Sequence, residues 1–192
     1  MTPVLTVIGG ANGSGKSTLT RWARDFFQSD ATLDADAAAV ELQAQESGTV
    51  GRIEAGREVL RSAKEFLGKK NSFSVETTLA GNTYLRMLAD AKKLGYRTRL
   101  LYIGTNNIQI NIARIRDRVK KGGHEVPLED QRRRYGRSLT NLSKALALSD
   151  ETVLLDNSFE NGHHIVAVKG RGQKLRFIGA RPSWIKSLAE GE

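Results

Sequence analysis

Gly10-Ala11-Asn12-Gly13-Ser14-Gly15-Lys16-Ser17 matches the pattern G-x-x-x-x-G-K-[ST] at every fixed position, and Thr18 follows it. Glycines let consecutive backbone N–H groups turn inward around phosphate oxygens, and the N-terminus of the following helix adds partial positive charge. Lys16 would reach the β- and γ-phosphates of a nucleoside triphosphate, and the Ser17 hydroxyl would ligate Mg2+. A glycine-rich strand-to-helix turn with no ligand explains the glycines, but not the lysine and serine at their set distances. The loop identifies a phosphate donor and leaves the acceptor open, because motors, GTPases and small-molecule kinases all share it. The chain has no N-K-x-D guanine motif, and 192 residues leave little room for a motor's coupling apparatus. A small kinase is favoured.

Further residues have types and positions suited to chemistry. Asp34 and Asp36 flank Ala35 at the end of a short strand. A carboxylate at the C-terminal edge of a parallel sheet faces the ligand side, where it can take the proton of an attacking hydroxyl. From residue type alone, Asp36 as the cap of the Ala-rich helix after it is an equal reading. Glu76, Thr77 and Thr78 end another strand, and a buried glutamate without a partner is costly, which argues against an idle role. Arg114 and Arg118 lie one turn apart on a helix, and the planar guanidinium fork suits phosphate oxygens, with solvated surface arginines as the plainer reading. Arg134, Arg137 and Asn141 share one helical face, and Arg132 and Arg133 extend the run, although a charge run is usually a solvated face. His124 sits in a Gly-Gly-His loop, whereas His163 and His164, heading a terminal hairpin, read as surface residues.

These groups need a scaffold, and the hydrophobic pattern predicts one. Val4 to Ile8 reads as a buried parallel strand running into Gly9-Gly10. A helix is predicted from Lys16 to about Phe27, a strand over Ala31–Asp34, and an Ala-rich helix from Ala35 to Gln45. A helix over Val50–Lys69 and a strand over Ser72–Glu76 follow. Thr83 to Leu94 reads as a helix ended by Gly95, as a C-terminal cap would be. Arg97 to Ile103 is a fourth strand. Ile108, Ile112, Ile115 and Val119 make one helical stripe before Gly122-Gly123, and Leu128 to Leu148 is a second long helix. Thr152 to Leu155 is a fifth strand, Ile165–Val168 and Leu175–Ile178 a terminal hairpin, and a short helix begins at Ser183. Strands alternating with helices imply an α/β fold with a mostly parallel sheet covered on both faces. With no repeat or linker in view, residues 1–192 read as a single domain.

Composition narrows the classes further. The 30 Lys and Arg outnumber the 21 Asp and Glu by +9, hydrophobic residues make up 39 %, and there is no cysteine. Disulfides, thiolate metal sites and a cysteine nucleophile are therefore excluded. No apolar run approaches the ~20 residues of a membrane span. The N-terminus lacks a basic segment followed by an apolar one, so a cytoplasmic protein is expected. The positive charge suits nucleic acid, phosphorylated ligands or an acidic protein, and charge alone does not choose among them. Only 6 % of residues are aromatic, and no aromatic-basic platform of the RNA-binding kind appears.

Five segments in this order resemble the zeta toxin family: Gly10–Ser17, Leu33–Asp36, Phe73–Leu79, Gly122–Pro127 and Arg134–Leu142. The resemblance runs from about residue 4 to residue 157 and implies a P-loop kinase-like three-layer fold. It implies ATP- and Mg2+-dependent phosphorylation of UDP-N-acetylglucosamine on the sugar 3′-hydroxyl by a toxin that a small separate antitoxin silences at the nucleotide site. It assigns Asp36 as general base and leaves Asp34 as a cap or an outer-shell Mg2+ group. Glu76 and Thr78, with Thr77 between them, become substrate contacts, and Arg57 and Glu58 on the preceding helix become looser candidates for the sugar nucleotide. One of the helix arginines, Arg118 in preference to Arg114, matches an arginine gripping ATP phosphates. His124 departs from the family pattern, standing where founding members carry a second phosphate-binding arginine. An imidazole is mostly neutral at pH 7, but it can still donate a hydrogen bond to phosphate. Arg134 or Arg137 would assist the nucleotide. The basic tail from Lys169 to Arg181 has no counterpart in the resemblance. Two other readings remain: a P-loop kinase acting on a polynucleotide 5′-hydroxyl or a small-molecule hydroxyl, and a basic nucleic-acid-binding module that holds ATP.

Overall fold

The computed structural model describes residues 2–22, 31–34, 49–123 and 125–189. The Ala-rich helix predicted over 35–45 and the end of the first predicted helix lie outside these residues. Strand β1 (Val4–Gly9) is the middle of the five parallel strands, and its apolar residues are buried on both faces. It pairs in parallel with β3 (Phe73–Thr77) on one side and β4 (Arg97–Gly104) on the other. Beyond β3 lies β2 (Thr32–Asp34), and beyond β4 lies β5 (Glu151–Asp156), both also parallel. The antiparallel hairpin β6 (His164–Lys169) and β7 (Arg176–Phe177) extends the β5 edge, giving the order β2-β3-β1-β4-β5-β6-β7.

Parallel strands cannot be joined by tight turns, so helices make the connections. They are α1 (Lys16–Trp22), α2 (Thr49–Lys69), α3 (Thr83–Lys93), α4 (Ile108–Lys120) and α5 (Leu128–Leu148). Strand alternation divides the core. Leu5, Val7, Phe73, Val75, Leu100, Tyr102 and Leu154 pack with Leu88 and Ala91 of α3 and with Leu142 and Ala145 of α5. Ile8, Leu101, Ile103 and Leu155 point the opposite way, against Leu19 of α1. Each fully buried Leu, Ile, Val or Phe side chain among these contributes roughly 1.5–3 kcal/mol. The expected stop of α3 is present: Gly95 takes φ +83°, and the Gly95 and Tyr96 amides donate to the carbonyls of Lys92 and Ala91.

The C-terminal segment returns to the sheet. A 3-10 turn (Ser183–Ile185) leads into α6 (Lys186–Ala189). Trp184 lies against Tyr102, with ring centroids 5.6 Å apart, and its Nε1 donates to Asp156 Oδ1 at 2.8 Å. Gly104 makes room for it, since a Cβ there would run into the indole. No helix among the described residues is long and apolar enough to cross a membrane.

Candidate active site

The carboxyl ends of the five parallel strands come together through strand register: Gly9 lies beside Thr77 and Tyr102, Asp34 beside Glu76, and Gly104 beside Asp156. This is the edge at which open α/β sheets bind ligands. The loop from Gly10 to Gly15 wraps above it. Gly13 has φ +77°, and a Cβ there would lie 2.6 Å from the Asn111 carbonyl, so neither the backbone nor the space admits a larger residue. Lys16 is buried, and its Nζ donates to the carbonyls of Gly10 at 2.8 Å and Ala11 at 3.3 Å.

Four braces from distant parts of the chain hold this loop. Asn111 Nδ2 of α4 donates to Asn12 O at 2.8 Å, and the Thr105 hydroxyl orients Asn111 by donating to its Oδ1. Asn157 Nδ2, just past β5, donates to Ser14 O at 2.8 Å. Arg134 Nη1 of α5 donates to Asn12 Oδ1 at 3.3 Å. His163 Nε2 lies 3.2 Å from Gly15 O, a hydrogen bond when that nitrogen carries the proton. Burial, and then the Arg114 and His164 charges, hold the His163 pKa below the usual imidazole value, while the Gly15 carbonyl opposes them. The expectation that His163 is a surface residue is corrected: it is half-buried against the loop, whereas His164 is exposed.

Three pockets surround the loop. One, of about 380 Å³, runs along Asn12, Gly13, Gly15, Lys16, Ser17 and Thr18 and carries Arg21, Arg114 and Arg118. Arg114 is half-buried, donates from Nη1 to Asn157 O at 2.8 Å and has its pKa lowered by burial; Arg118 is exposed on the same pocket. A second pocket, of about 640 Å³, adjoins it at Gly15, Thr18 and Arg114, and is walled by Leu19, Leu155, Asn157, Asn161 and His163. The third, of about 370 Å³, lies on the other side of Lys16 and is lined by Asp34, Glu76, Thr77, Thr78, Tyr84, Arg133, Arg134 and Arg137. Lys16 lines both the first and the third pocket.

Glu76 is buried between these spaces, and Ser17 Oγ donates to its Oε2 at 3.1 Å. Burial raises its pKa above the ordinary 4.5, and neighbouring Asp34 adds to the rise, against the Thr20 and Ser17 hydroxyls and the Lys16 ammonium. A hydroxyl and two adjacent carboxylates, one of them buried, form a hard oxygen set that fits Mg2+.

The structure thus brings Gly10 to Thr18, Arg114, Arg118, Glu76, Thr77 and Thr78 to one sheet edge. It places Arg134 and Arg137 on the Glu76 side of Lys16, while Asn141 turns away into the core, its Nδ2 donating to Leu79 O at 2.9 Å. Arg57 and Glu58 lie on the exposed face of α2, where Glu58 pairs with Arg61, and neither lines these pockets. Asp36 and His124 lie outside the described residues. Sequence reasoning missed Arg21, Asn111, Asn157, Asn161 and His163. Arg21 was findable, being one helical turn beyond Ser17; the others carry no local pattern.

Comparison with known proteins follows the same lines. The sequence profile of the Zeta toxin family matches residues 1–179. An uncharacterized protein of Haemophilus influenzae is 36 % identical over 126 residues, 66 % of this chain and 88 % of that protein. A chain from the PezAT chromosomal toxin–antitoxin system of Streptococcus pneumoniae aligns with a TM-score of 0.62 and 19 % identity, covering 87 % of this chain and 72 % of that one. A chain of the AvrRxo1-ORF1:-ORF2 complex with ATP aligns at 0.72 and 15 % identity, covering 98 % of this chain and 63 % of that one. At these identities the two structures speak for the fold.

Proposed function

Because the chain belongs to the zeta toxin family, we propose that it is an ATP-dependent kinase that phosphorylates the sugar 3′-hydroxyl of UDP-N-acetylglucosamine. It acts in the cytoplasm as a single-domain toxin held in check by a separate antitoxin chain. One observation carries the kinase reading: Lys16 stands at the junction of two pockets, one suited to a donor triphosphate and the other to an anionic acceptor.

On the donor side, the inward-turned amides of the loop, Lys16, Arg21, Arg114 and Arg118 neutralise the phosphate chain, and the arginines can bind its oxygens in bidentate fashion. The adjoining pocket has apolar walls at Leu19 and Leu155 and polar edges at Asn161 and His163, which suits a nucleobase. Mg2+, when bound by Ser17 and Glu76 with Asp34 nearby, supplies charge stabilisation to the phosphates. On the acceptor side, Glu76, Thr77 and Thr78 offer polar groups to a sugar, and Arg133, Arg134 and Arg137 offer charge to a diphosphate. Asp36, two positions along the chain from Asp34, takes the proton of the attacking hydroxyl. Such a base is typically worth 10²–10⁴ in rate.

The same arginines would serve a polynucleotide ending in a 5′-hydroxyl, so the test includes both acceptors. The purified chain is incubated with ATP, Mg2+, a panel of UDP-sugars and a 5′-hydroxyl oligonucleotide, and products are weighed by mass spectrometry. One added phosphoryl group on UDP-N-acetylglucosamine is expected. Phosphorylation of the oligonucleotide alone would move the assignment to a polynucleotide kinase.

A further inference from the structure

Three of the exposed large hydrophobic residues gather in one place far from the acceptor pocket. Phe159 is 61 % exposed, Ile165 51 % and Ile178 39 %. They line a groove of about 590 Å³ formed by the turn after β5, strand β6 and the segment that follows β7. Isolated exposed hydrophobics need no explanation, but a contiguous apolar groove with a polar rim marks a binding surface.

The rim identifies the occupant. His164, Arg181 and Lys186 line the groove. Asp156, the only acidic lining residue among the described residues, is buried and already accepts from Trp184 Nε1 and Ser158 Oγ. The chain from Lys169 to Lys186 carries Lys169, Arg171, Lys174, Arg176, Arg181 and Lys186 and no acidic residue. Glu160 follows Phe159 in sequence but does not line the groove. A concave apolar floor with two cations, Arg181 and Lys186, on its rim fits a segment that inserts side chains. A flat bilayer or a nucleic-acid duplex would meet the rim and leave the floor uncovered. We infer that this groove docks an acidic amphipathic segment of a partner protein, with apolar side chains on Phe159 and Ile178 and carboxylates on Arg181 and Lys186.

The turn that bears Phe159 also carries Asn157 and His163, two of the four braces on the phosphate loop. A docked segment therefore touches the same turn that holds the nucleotide site, from its outer side. The inference does not depend on which acceptor the enzyme uses.

The test selects binders to the intact protein from a displayed library of random peptides of helix-forming length. Affinities of the winners are then measured on three proteins: the parent, Phe159→Ser/Ile178→Thr, and Arg181→Glu/Lys186→Glu. These side chains are exposed, so melting curves should match the parent, and the charge-reversed protein keeps the test valid if the apolar variant melts early. The expected winners combine Asp or Glu with Leu, Ile or Phe at helical spacing and lose about tenfold or more in affinity on both variants. Winners without acidic residues, winners indifferent to both variants, or no enrichment at all would overturn the inference. So would binding of phosphatidylserine vesicles or duplex DNA that is abolished by both variants while peptides fail.

Discussion

In the proposed mechanism Lys16, Glu76 and Asp36 have separable duties, and each predicts a different defect. Lys16→Ala is expected to remove detectable phosphoryl transfer, because its ammonium neutralises charge moving off the γ-phosphate; transfer at the parent rate, measured by product mass, would end the P-loop reading. Asp36→Asn keeps shape but removes the proposed base, so turnover should fall by about 10² or more. ATP affinity by calorimetry should change less than tenfold, under about 1.4 kcal/mol. Loss of ATP binding together with turnover would instead place Asp36 at the Mg2+ site. For Glu76, burial raises the carboxyl pKa above its ordinary 4.5. Between the unfolded and folded pKa, the folded chain holds a proton that the unfolded chain has released. The stability Glu76 contributes is therefore full below about pH 4.5 and is lost as pH rises through the folded pKa. Glu76→Gln should thus melt higher than the parent at about pH 7.5 without nucleotide, with the difference shrinking toward pH 4. Added Mg2+ should raise the melting temperature of the parent more than that of the variant. A variant that melts lower at every pH would make the carboxylate a net stabiliser.

At the scale of elements, the phosphate loop was legible as a strand-loop-helix unit because its chemistry is local: glycines, lysine and serine act within eight residues. Helices α3 and α5 were legible for the same reason, since Gly95 and the apolar spacing are local signals, and α5 spans Leu128–Leu148 as the pattern predicts. The braces were not. Asn157 reaches Ser14 across 143 positions and Asn111 reaches Asn12 across 99, and no window of sequence contains both partners. Asn157→Ala should show what such a brace does. It leaves the buried Ser14 carbonyl without its donor, a cost of about 1–3 kcal/mol, and it loosens the loop that must wrap the phosphates. ATP affinity is expected to weaken about tenfold while the rate at saturating ATP changes little. A normal ATP affinity would reduce Asn157 to a residue of the fold alone.

At the scale of the whole molecule, the short helical segment predicted from Ser183 is present, but its packing onto the sheet was not legible in the sequence. Trp184 is buried on Tyr102 and bonded to Asp156, so Trp184→Ala should cost about 3–5 kcal/mol, read from denaturant or thermal unfolding. A loss below about 1 kcal/mol would mean that the segment merely rests on the sheet. The +9 charge belongs to this scale too. Binding to random duplex DNA should be weak and should collapse between about 50 and 200 mM salt, because it rests on unspecific phosphate contacts. Salt-resistant, sequence-selective binding would promote the nucleic-acid reading over the kinase.

By itself the sequence determined the phosphate-binding loop, the order of strands and helices among the described residues and the family, because these depend on residue type, short spacing and hydrophobic period. It also marked Glu76, Thr77 and Thr78 as strand-end groups. Only the tertiary structure decided which side of Lys16 each arginine occupies, sending Arg21, Arg114 and Arg118 to one pocket and Arg133, Arg134 and Arg137 to the other. It also decided that Asn141 serves the core and that His163 serves the loop. The reason is geometric. A helical repeat says which residues share a face, but what that face meets depends on how sheet twist and connection lengths set α4 and α5 over the strand ends, and residues a hundred positions apart meet only when the whole sheet has closed.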